Sequence, residues 1–219
     1  YLGPRINAAG RMESGTLAVE LLVEENLEKA IGLAEKLNQL NIERRILDKE
    51  TTQEAISQIK KHKNEESCTT VVCNPDWHKG VIGIAASKLI ETYYRPTIVF
   101  TSSNDLFVGS ARSVNGYNIH AAIEKCKEFV VEFGGHKYAA GIKIKKTQYK
   151  DFKDKFEEVV SSTIEKSMTI KKVAVEGEIE LKEITPKFYR ILKQFAPFGP
   201  GNKTPIFSAK NLRDTGYAK

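Results

Sequence analysis

The chain has 219 residues, of which 41% are hydrophobic and 28% are charged, and its formal net charge is +6 at pH 7. The sequence contains no run of 18 apolar residues and no hydrophobic region of the signal-peptide type, which argues against a membrane span and against export. We therefore expect a cytoplasmic protein, and the basic excess favours a polyanionic partner.

The cysteines and the two ends of the chain give further limits. Cys68, Cys73 and Cys126 are an odd number without Cys-x-x-Cys spacing, which disfavours both a disulfide framework and a structural zinc site. The chain begins at Tyr1 without a methionine and ends shortly after a predicted strand. We therefore expect a fragment of a longer protein.

The first sixty residues are mostly helical by pattern. Residues 3–11 (GPRINAAGR) show almost no periodicity, which predicts a loop whose arginines either bind phosphates or pair with carboxylates. Apolar spacing predicts a helix from Thr16, a second helix with Asn26 as its N-cap, and a third over 42–61. The third has a thin apolar face, so we interpret it as a partly solvated helix that bridges two domains.

The middle of the chain alternates strands and helices after a charged boundary at 60–67. The predicted strands cover 69–74, 96–101, 106–112 and 141–145, and the predicted helices cover 81–92, 118–126 and 147–164. Asn118 and Thr147 are the expected N-caps of the last two helices. This order is typical of an α/β domain.

Two features of this middle region could bind an anion. The turn at 75–80 contains His78 and leads into a helix that starts near Gly83. The N-terminus of that helix has free N–H groups and the positive end of the helix dipole, both of which favour binding of a negative charge. Ser110 and Arg112 are two residues apart on a predicted strand, so they point to one face and could hold one phosphate together. The alternatives are a surface turn histidine and a salt bridge at a strand end.

The segment 134–141 (GGHKYAAG) predicts a loop of small residues between a helix and a strand. Because its side chains are small, a ligand could approach the main chain, and Gly134 and Gly135 could direct N–H groups toward a phosphate. His136 could then contact the ligand. The alternative is a tight turn with a surface histidine.

The last segment has its own pattern. Alternating apolar residues over 173–181 predict a strand, and Thr185 before Pro186 predicts the start of a helix. A rigid turn at 197–202 then precedes a short strand at 205–209. Too few strands remain to close a barrel.

Five motifs in one order resemble those of the RecJ-type single-strand-specific 5′-to-3′ DNA exonucleases of the DHH phosphoesterase superfamily. They are residues 3–11 (GPRINAAGR), 77–83 (WHKGVIG), 109–113 (GSARS), 134–136 with 139–141 (GGH and AAG), and 198–202 (FGPGN). The resemblance implies an α/β fold made of the helical C-terminal part of a DHH domain (1–41), a connecting helix and linker (42–66), an α/β DHHA1 substrate-binding domain (67–168) and the start of a β-barrel oligonucleotide-binding fold (172–219).

The resemblance also implies a set of DNA-binding residues. Arg5, Ser110, Arg112 and His136 would face the cleft and hold the phosphates of the strand and its 5′ end. The full set of candidates for binding nucleic acid or phosphate is Arg5, Asn7, His78, Ser110, Arg112, Gly134, Gly135 and His136. We do not expect this stretch to contain a complete set of catalytic residues; Arg5 and His136 are only candidates for residues that face the cleft. Three basic residues match no motif of the family and are interpreted as solvated lysines: Lys143, Lys145 and Lys146.

The implied chemistry depends on metal ions that these residues are not expected to hold. Members of the family use two divalent ions, usually Mn²⁺ or Mg²⁺, to activate water for phosphodiester hydrolysis. Their ligands lie in N-terminal motifs that include Asp-His-His, which does not occur here, and the four histidines at 62, 78, 120 and 136 are scattered. We expect the longer protein to be an exonuclease of DNA repair and recombination, and this stretch to bind no metal and to be inactive.

The expected partner is single-stranded DNA with a 5′ end, bound weakly, without sequence preference and with strong salt dependence. Two alternatives stay open: a non-enzymatic module that binds single-stranded nucleic acid, and a related DHH phosphodiesterase acting on nanoRNA, 3′-phosphoadenosine phosphate or cyclic dinucleotides. The segment at 3–11, the long charged helix and the third domain favour the exonuclease. An Arg112 and a His136 on opposite surfaces would contradict the assignment.

Overall fold

The computed structural model describes residues 2–61, 67–213 and 216. It divides into two compact units, residues 1–170 and 171–219. The first unit contains a helical segment followed by a sheet with helices, so the predicted mixed α/β architecture is confirmed. Most of the predicted boundary at 60–67, together with His62, lies outside the described residues.

The helical segment consists of α1 (Leu2–Met12), α2 (Thr16–Val23) and α3 (Leu27–Lys61). Asn26 caps α3 as predicted, since its side-chain oxygen accepts the N–H of Lys29 at 3.0 Å. Helix α3 is a single helix of 35 residues, so the two helices predicted before and after residue 41 are one. No proline interrupts that stretch, and its two halves pack on different partners, α1 and α2 first and then α4 and the first strand.

The prediction of a loop at 3–11 was wrong, because these residues form most of α1. Pro4 lies in the first turn of the helix, where its missing N–H costs no hydrogen bond. Ala8 and Ala9 are completely buried and let the helix pack closely on its neighbours. Packing therefore outweighs the weak helix propensity of the glycines.

A five-stranded sheet forms the second part of the first unit, in the order β1-β2-β3-β5-β4. Its strands are β1 (Thr70–Cys73), β2 (Thr97–Ser103), β3 (Leu106–Arg112), β4 (Glu132–His136) and β5 (Ala139–Lys145). The accompanying helices are α4 (Ile82–Tyr93), α5 (Ile119–Glu124) and α6 (Tyr149–Thr163). Strands β1 and β2 are parallel and all other neighbours are antiparallel.

The two faces of the sheet differ in what covers them. One face packs Phe100 and Ile144 against Phe152 and Phe156 of α6 in the main core. On the other face, α3 and α4 cover β1 and β2, where Val99 belongs to a second core. The β4 and β5 end of that second face is exposed, so it is open to a ligand.

The segment predicted as a glycine-histidine loop is a β-hairpin. Residues 134–136 lie in β4, and β5 begins at Ala139 instead of residue 141. The N–H groups of Ser113 and Ile119 hold the connecting turn by donating to its carbonyls, at 3.0 Å each. Glycine disfavours a strand on its own, but pairing with β5 supplies the hydrogen bonds that the sequence pattern does not show.

The predicted caps of the last two helices of this unit have different outcomes. Asn118 caps α5, since its side-chain oxygen accepts the N–H of Ala121 at 3.1 Å. Thr147 does not cap α6, because it lies inside a preceding turn of 3-10 helix and Gln148 occupies the cap position without a side-chain hydrogen bond.

The second unit contains β6 (Gly177–Glu178), α7 (Pro186–Gln194) and β7 (Phe207–Ser208). The strand predicted at 173–181 is only two residues long, because only β7 pairs with it in the part of the chain that the structure describes and a strand needs a neighbour. Thr185 caps α7 as predicted, accepting the N–H of Phe188 at 3.1 Å. None of the helices within the described residues combines the length and the apolarity needed to cross a bilayer.

Candidate nucleic-acid interface

The exposed end of the sheet carries three rows of residues that point to one face. Residues directly opposite each other in antiparallel strands share a face, as do alternate residues along a strand. The rows across β3, β5 and β4 are Arg112 with Ala139 and His136, Ser110 with Gly141 and Gly134, and Val108 with Lys143 and Glu132. Arg112 and His136 therefore lie on one face, two strands and about 10 Å apart at their Cα atoms.

A cavity of about 530 Å³ opens where the first turn of α4 faces β3. Its polar lining comes from three separate parts of the chain. Arg11 lies at the end of α1, Lys79 and Gly83 belong to the turn and start of α4, and Ser110 and Arg112 come from β3. We call this space the first cavity.

The guanidinium group of Arg112 is positioned by hydrogen bonds to neutral groups and not by a carboxylate. Its Nη1 donates to Ser110 Oγ at 3.0 Å and to the carbonyl of Ala111 at 2.8 Å. Burial, and secondarily the charge of Arg11, lower the pKa of Arg112 below its ordinary value. In residues 2–61, 67–213 and 216, neither arginine forms an ion pair, so an anion between them would be bound favourably.

The N-terminus of α4 adds backbone donors to the first cavity. Val81 gives no side-chain cap, and the N–H groups of Ile82 and Gly83 have no backbone acceptor among the described residues. A Cβ at Gly83 would lie 3.0 Å from Arg112 Nη2 and 3.0 Å from Ser110 Oγ. Glycine is therefore what allows the helix to come this close to both side chains.

The turn before α4 brings Arg11 to the cavity. The N–H of Gly80 donates to Nδ1 of His78 at 3.1 Å, and a Cβ at Gly80 would lie 2.0 Å from the carbonyl oxygen of Arg11. The turn thus packs directly on the C-terminal end of α1. His78 shapes this turn, and its ring nitrogen is already used as an acceptor.

A second cavity of about 310 Å³ continues along the sheet past Gly134, Gly141 and Lys143. Lys79 and Val108 line both cavities, so the two form one groove. A Cβ built on Gly134 or Gly141 meets no atom within 4 Å. The floor of the second cavity is therefore bare backbone.

The structure brings together some of the predicted site residues and separates others. Ser110, Arg112 and Gly134 line the groove, and His136 shares a row with Arg112. Arg5 instead donates its Nε to Asn38 of α3 at 3.0 Å. Asn7 is exposed on α1 outside both cavity linings, and Gly135, which follows Gly134 in the strand, belongs to the opposite face.

The sequence pattern does not distinguish Arg11 from Arg5 as a phosphate-binding arginine, and it does not single out Lys79 as a lining residue. A helical interpretation of 3–11 would have separated the two arginines, because residues six apart point about 120° apart around a helix. Only one of them could then face a given cavity. Lys79 had no signal of its own in the sequence, since only the fold shows that it lies between two cavities.

The groove does not suit a divalent cation. Apart from one carboxylate, its polar side chains and N–H groups are hydrogen-bond donors of the guanidinium, ammonium, hydroxyl and amide types, whereas Mg²⁺ and similar ions require oxygen ligands, mainly carboxylates. The one carboxylate in the second cavity's lining, Glu132, is paired with Lys143 at 2.7 Å. Across the described ranges, no group of three or more His, Cys, Asp and Glu side chains could hold a metal ion.

The second unit has a basic helical face of its own. Lys187, Arg190 and Lys193 on α7 are exposed beside Tyr189, and Lys193 Nζ lies 4.8 Å from the centre of the tyrosine ring. None of these cations forms an ion pair within the described residues. Basic groups interleaved with an exposed aromatic ring suit the backbone and bases of a single strand.

Comparison with protein families gives two matches that follow the two units. Residues 64–162 match the DHHA1 domain and residues 175–218 match the RecJ OB domain. The single-stranded-DNA-specific exonuclease RecJ of Bacillus subtilis is 33% identical over 96% of this chain, and that of Salmonella typhimurium is 32% identical over 95%. The chain spans only 27% and 38% of the lengths of these two relatives.

Solved structures of RecJ are also similar to this chain. RecJ from Thermus thermophilus in complex with Mg²⁺ matches 94% of this chain with a TM-score of 0.84 and 27% identity, and its Mn²⁺ complex matches 99% with a TM-score of 0.85 and 26% identity. Each match covers 32% of the solved chain. The chain is therefore similar to RecJ exonucleases along nearly its whole length, and its two matched regions correspond to the DHHA1 domain and the RecJ OB domain.

Proposed function

We propose that this chain is the substrate-binding part of a single-strand-specific 5′-to-3′ DNA exonuclease, and that its groove holds the 5′-phosphate and the first nucleotides of the strand. The observation that carries the proposal is the first cavity. There Arg11 and Arg112 line one space whose lining contains no carboxylate, together with Ser110 and with the start of α4, where two N–H groups have no backbone acceptor among the described residues.

The terminal phosphate fits the first cavity by charge and by donor geometry. A guanidinium presents a planar set of N–H donors that can bind two phosphate oxygens together. The hydroxyl of Ser110 and the N–H groups of Ile82 and Gly83 are further donors at the positive end of the helix dipole. A phosphate monoester at the strand end carries more charge than an internal diester, which favours the end over the middle.

The second cavity would receive the sugar and base that follow. Its floor is the bare backbone of Gly134 and Gly141, which lets a flat group lie close to the sheet. The groove offers charge and space and no set of donors arranged against base edges, so we expect binding without sequence preference. His136, in the row of Arg112, would contact the strand at the edge of the groove.

Hydrolysis itself is assigned to residues outside this chain. When bound, two divalent ions, Mn²⁺ or Mg²⁺, would activate water for attack on the phosphodiester, but the groove residues do not fit such ions. The chain alone would bind and orient the strand without cleaving it. We assign the longer protein to DNA repair and recombination in the cytoplasm.

A direct test compares 5′-phosphorylated and 5′-hydroxyl oligothymidylates by fluorescence anisotropy at low salt. We expect the phosphorylated oligomer to bind about tenfold more tightly, because charge-assisted hydrogen bonds contribute roughly 1.5–3 kcal/mol. Arg112→Ala should remove most of this preference. Arg45→Ala, on the exposed surface of α3, should leave it unchanged.

Equal affinity of the unsubstituted chain for both ends would contradict the 5′-phosphate role. Tighter binding of 3′-phosphoadenosine phosphate or a cyclic dinucleotide than of the phosphorylated oligomer would favour a small-nucleotide phosphodiesterase instead. A preference for single strands that is independent of the end group would favour a simple binding module.

A further inference from the structure

We propose that Lys79 binds a second phosphate, the diester between the first two nucleotides, so that the groove is built for at least a 5′-phosphorylated dinucleotide. The inference deepens the proposed function and rests on it. It begins with position: Lys79 is the cation that lines both the first and the second cavity.

Lys79 is held at its base and free at its tip. On one side of it, Trp77 is buried and its Nε1 donates to Glu54 Oε2 at 2.7 Å. On the other side, the N–H of Gly80 is bonded to Nδ1 of His78. The ammonium has no ion-pair or hydrogen-bond partner in the described part of the chain, so it is available to a ligand.

The other cation of the second cavity is already neutralised. Lys143 Nζ lies 2.7 Å from Glu132 Oε2 across the β4–β5 pair. A phosphate entering this cavity would therefore find its uncompensated charge at Lys79. This difference separates two lysines that the sequence alone does not distinguish.

The length of the groove excludes a single phosphate that serves both ends. Arg112 lies opposite Ala139, and Lys143 is four residues further along β5, a distance of about 14 Å in a strand. The groove therefore has room for a second phosphate beyond the first nucleotide. Because lysine is a compact point charge, whereas arginine is a planar fork, we assign end recognition to Arg112 and the contact with the internal phosphate to Lys79.

The test combines substitution of Lys79 with removal of the negative charge on the linkage between the two nucleotides, in the manner of a double-mutant cycle. Three probes are titrated into the chain: 5′-phosphorylated thymidine, its 5′-phosphorylated dinucleotide, and the same dinucleotide with a neutral methylphosphonate linkage. We expect the charged dinucleotide to bind about threefold to fivefold more tightly than the neutral one, since an exposed ionic contact is worth up to about 1 kcal/mol.

Lys79→Gln should abolish the difference between the two dinucleotides and leave the mononucleotide affinity unchanged. Lys79→Arg should retain the difference, which shows that charge and not folding is responsible. Lys150→Gln, an exposed lysine of α6, is the matched control and should behave like the unsubstituted chain. On longer oligomers, Lys79→Gln should reduce the slope of log affinity against log salt by about 0.7.

Each other outcome overturns the inference in a recognisable way. If the unsubstituted chain binds both dinucleotides equally, the internal phosphate has no charged contact, although a preference for 5′-phosphate would leave the proposed function standing. If Lys79→Gln weakens the mononucleotide as much as the dinucleotides, Lys79 belongs to the end-binding site. If no probe binds through its phosphate, the proposed function fails together with the inference.

Discussion

Glycines in the groove act in two opposite ways at the level of single residues. At Gly83 the missing side chain lets Arg112 and Ser110 approach the start of α4, whereas at Gly134 and Gly141 it leaves space that no other atom fills. At Gly109, on the core face of the same sheet, a Cβ would lie 2.6 Å from the ring of Phe100. Gly83 therefore allows the close packing that forms the first cavity, Gly134 and Gly141 keep the second cavity open, and Gly109, outside the groove, allows close packing in the core.

Adding a methyl group at Gly134 or Gly141 therefore tests whether the open floor is used. We expect Gly134→Ala and Gly141→Ala to change the free energy of unfolding by less than about 1 kcal/mol, since neither position has positive φ or a close neighbour. Both should weaken binding of the phosphorylated oligomer several-fold, measured by anisotropy.

Gly109→Ala is the contrasting variant. Overpacking the core beside Phe100 should cost about 1–3 kcal/mol in urea unfolding. Unchanged oligomer affinity in both Gly134→Ala and Gly141→Ala, with folding intact, would show that the second cavity is not part of the binding surface.

At the level of elements, the groove depends on how α4 is held against α3. Asp48 of α3 has a side chain only 7% exposed, and its Oδ2 lies 2.7 Å from Lys88 Nζ of α4 and 3.7 Å from Arg44 Nη1. Arg44 Nη2 also donates to Asn41 at 3.3 Å. This buried polar cluster fixes the position of α4, whose N-terminus forms one wall of the first cavity.

Removing the carboxylate should destabilise the first unit. Asp48→Ala leaves Arg44 nearly buried without its counter-charge, which typically costs about 3 kcal/mol or more, and we expect that loss in urea unfolding. Glu158→Ala removes an exposed ion pair with Lys155 and should cost less than about 1 kcal/mol. Equal losses in both variants would show that Asp48 does not hold the two helices together.

The sequence predicted the structure correctly where the spacing of side chains along a single strand or helix determines it. Two-residue spacing placed Ser110 and Arg112 on one face, and their hydrogen bond confirms that geometry. It failed at the GGH segment, where cross-strand pairing overrides the low strand propensity of glycine, and at 3–11, where burial of alanines decides for helix. Lys79 could not be found in this way, because its position between two cavities depends on contacts distant in sequence.

At the level of the whole molecule, the two units carry separate basic surfaces. The first unit has the groove, which we assign to the strand end, and the second has the exposed face of α7 with Lys187, Arg190 and Lys193. Contacts with internal phosphates contribute affinity and salt dependence, whereas the end site contributes preference. The two contributions should therefore be separable by substitution.

Replacing all three α7 cations with glutamine should weaken binding of a long oligomer and reduce its salt slope by about 0.7 for each phosphate that the variant no longer neutralises. The ratio of affinities for phosphorylated and hydroxyl ends should stay the same, in contrast to Arg112→Ala. Anisotropy titrations over a range of salt concentrations measure both quantities. Disappearance of the end preference in the α7 variant would contradict the division of roles between the two units.

The most direct measurement is the mapping of amide chemical shifts in the isotope-labelled chain during titration with a 5′-phosphorylated thymidine dinucleotide. We expect the largest changes at the N–H groups of Ile82, Gly83, Gly134 and Gly141, and the 5′-hydroxyl dinucleotide should lose the changes at Ile82 and Gly83. Changes confined to α5 and α6 on the opposite face of the sheet, or identical maps for the two dinucleotides, would contradict a 5′-phosphate site in this groove.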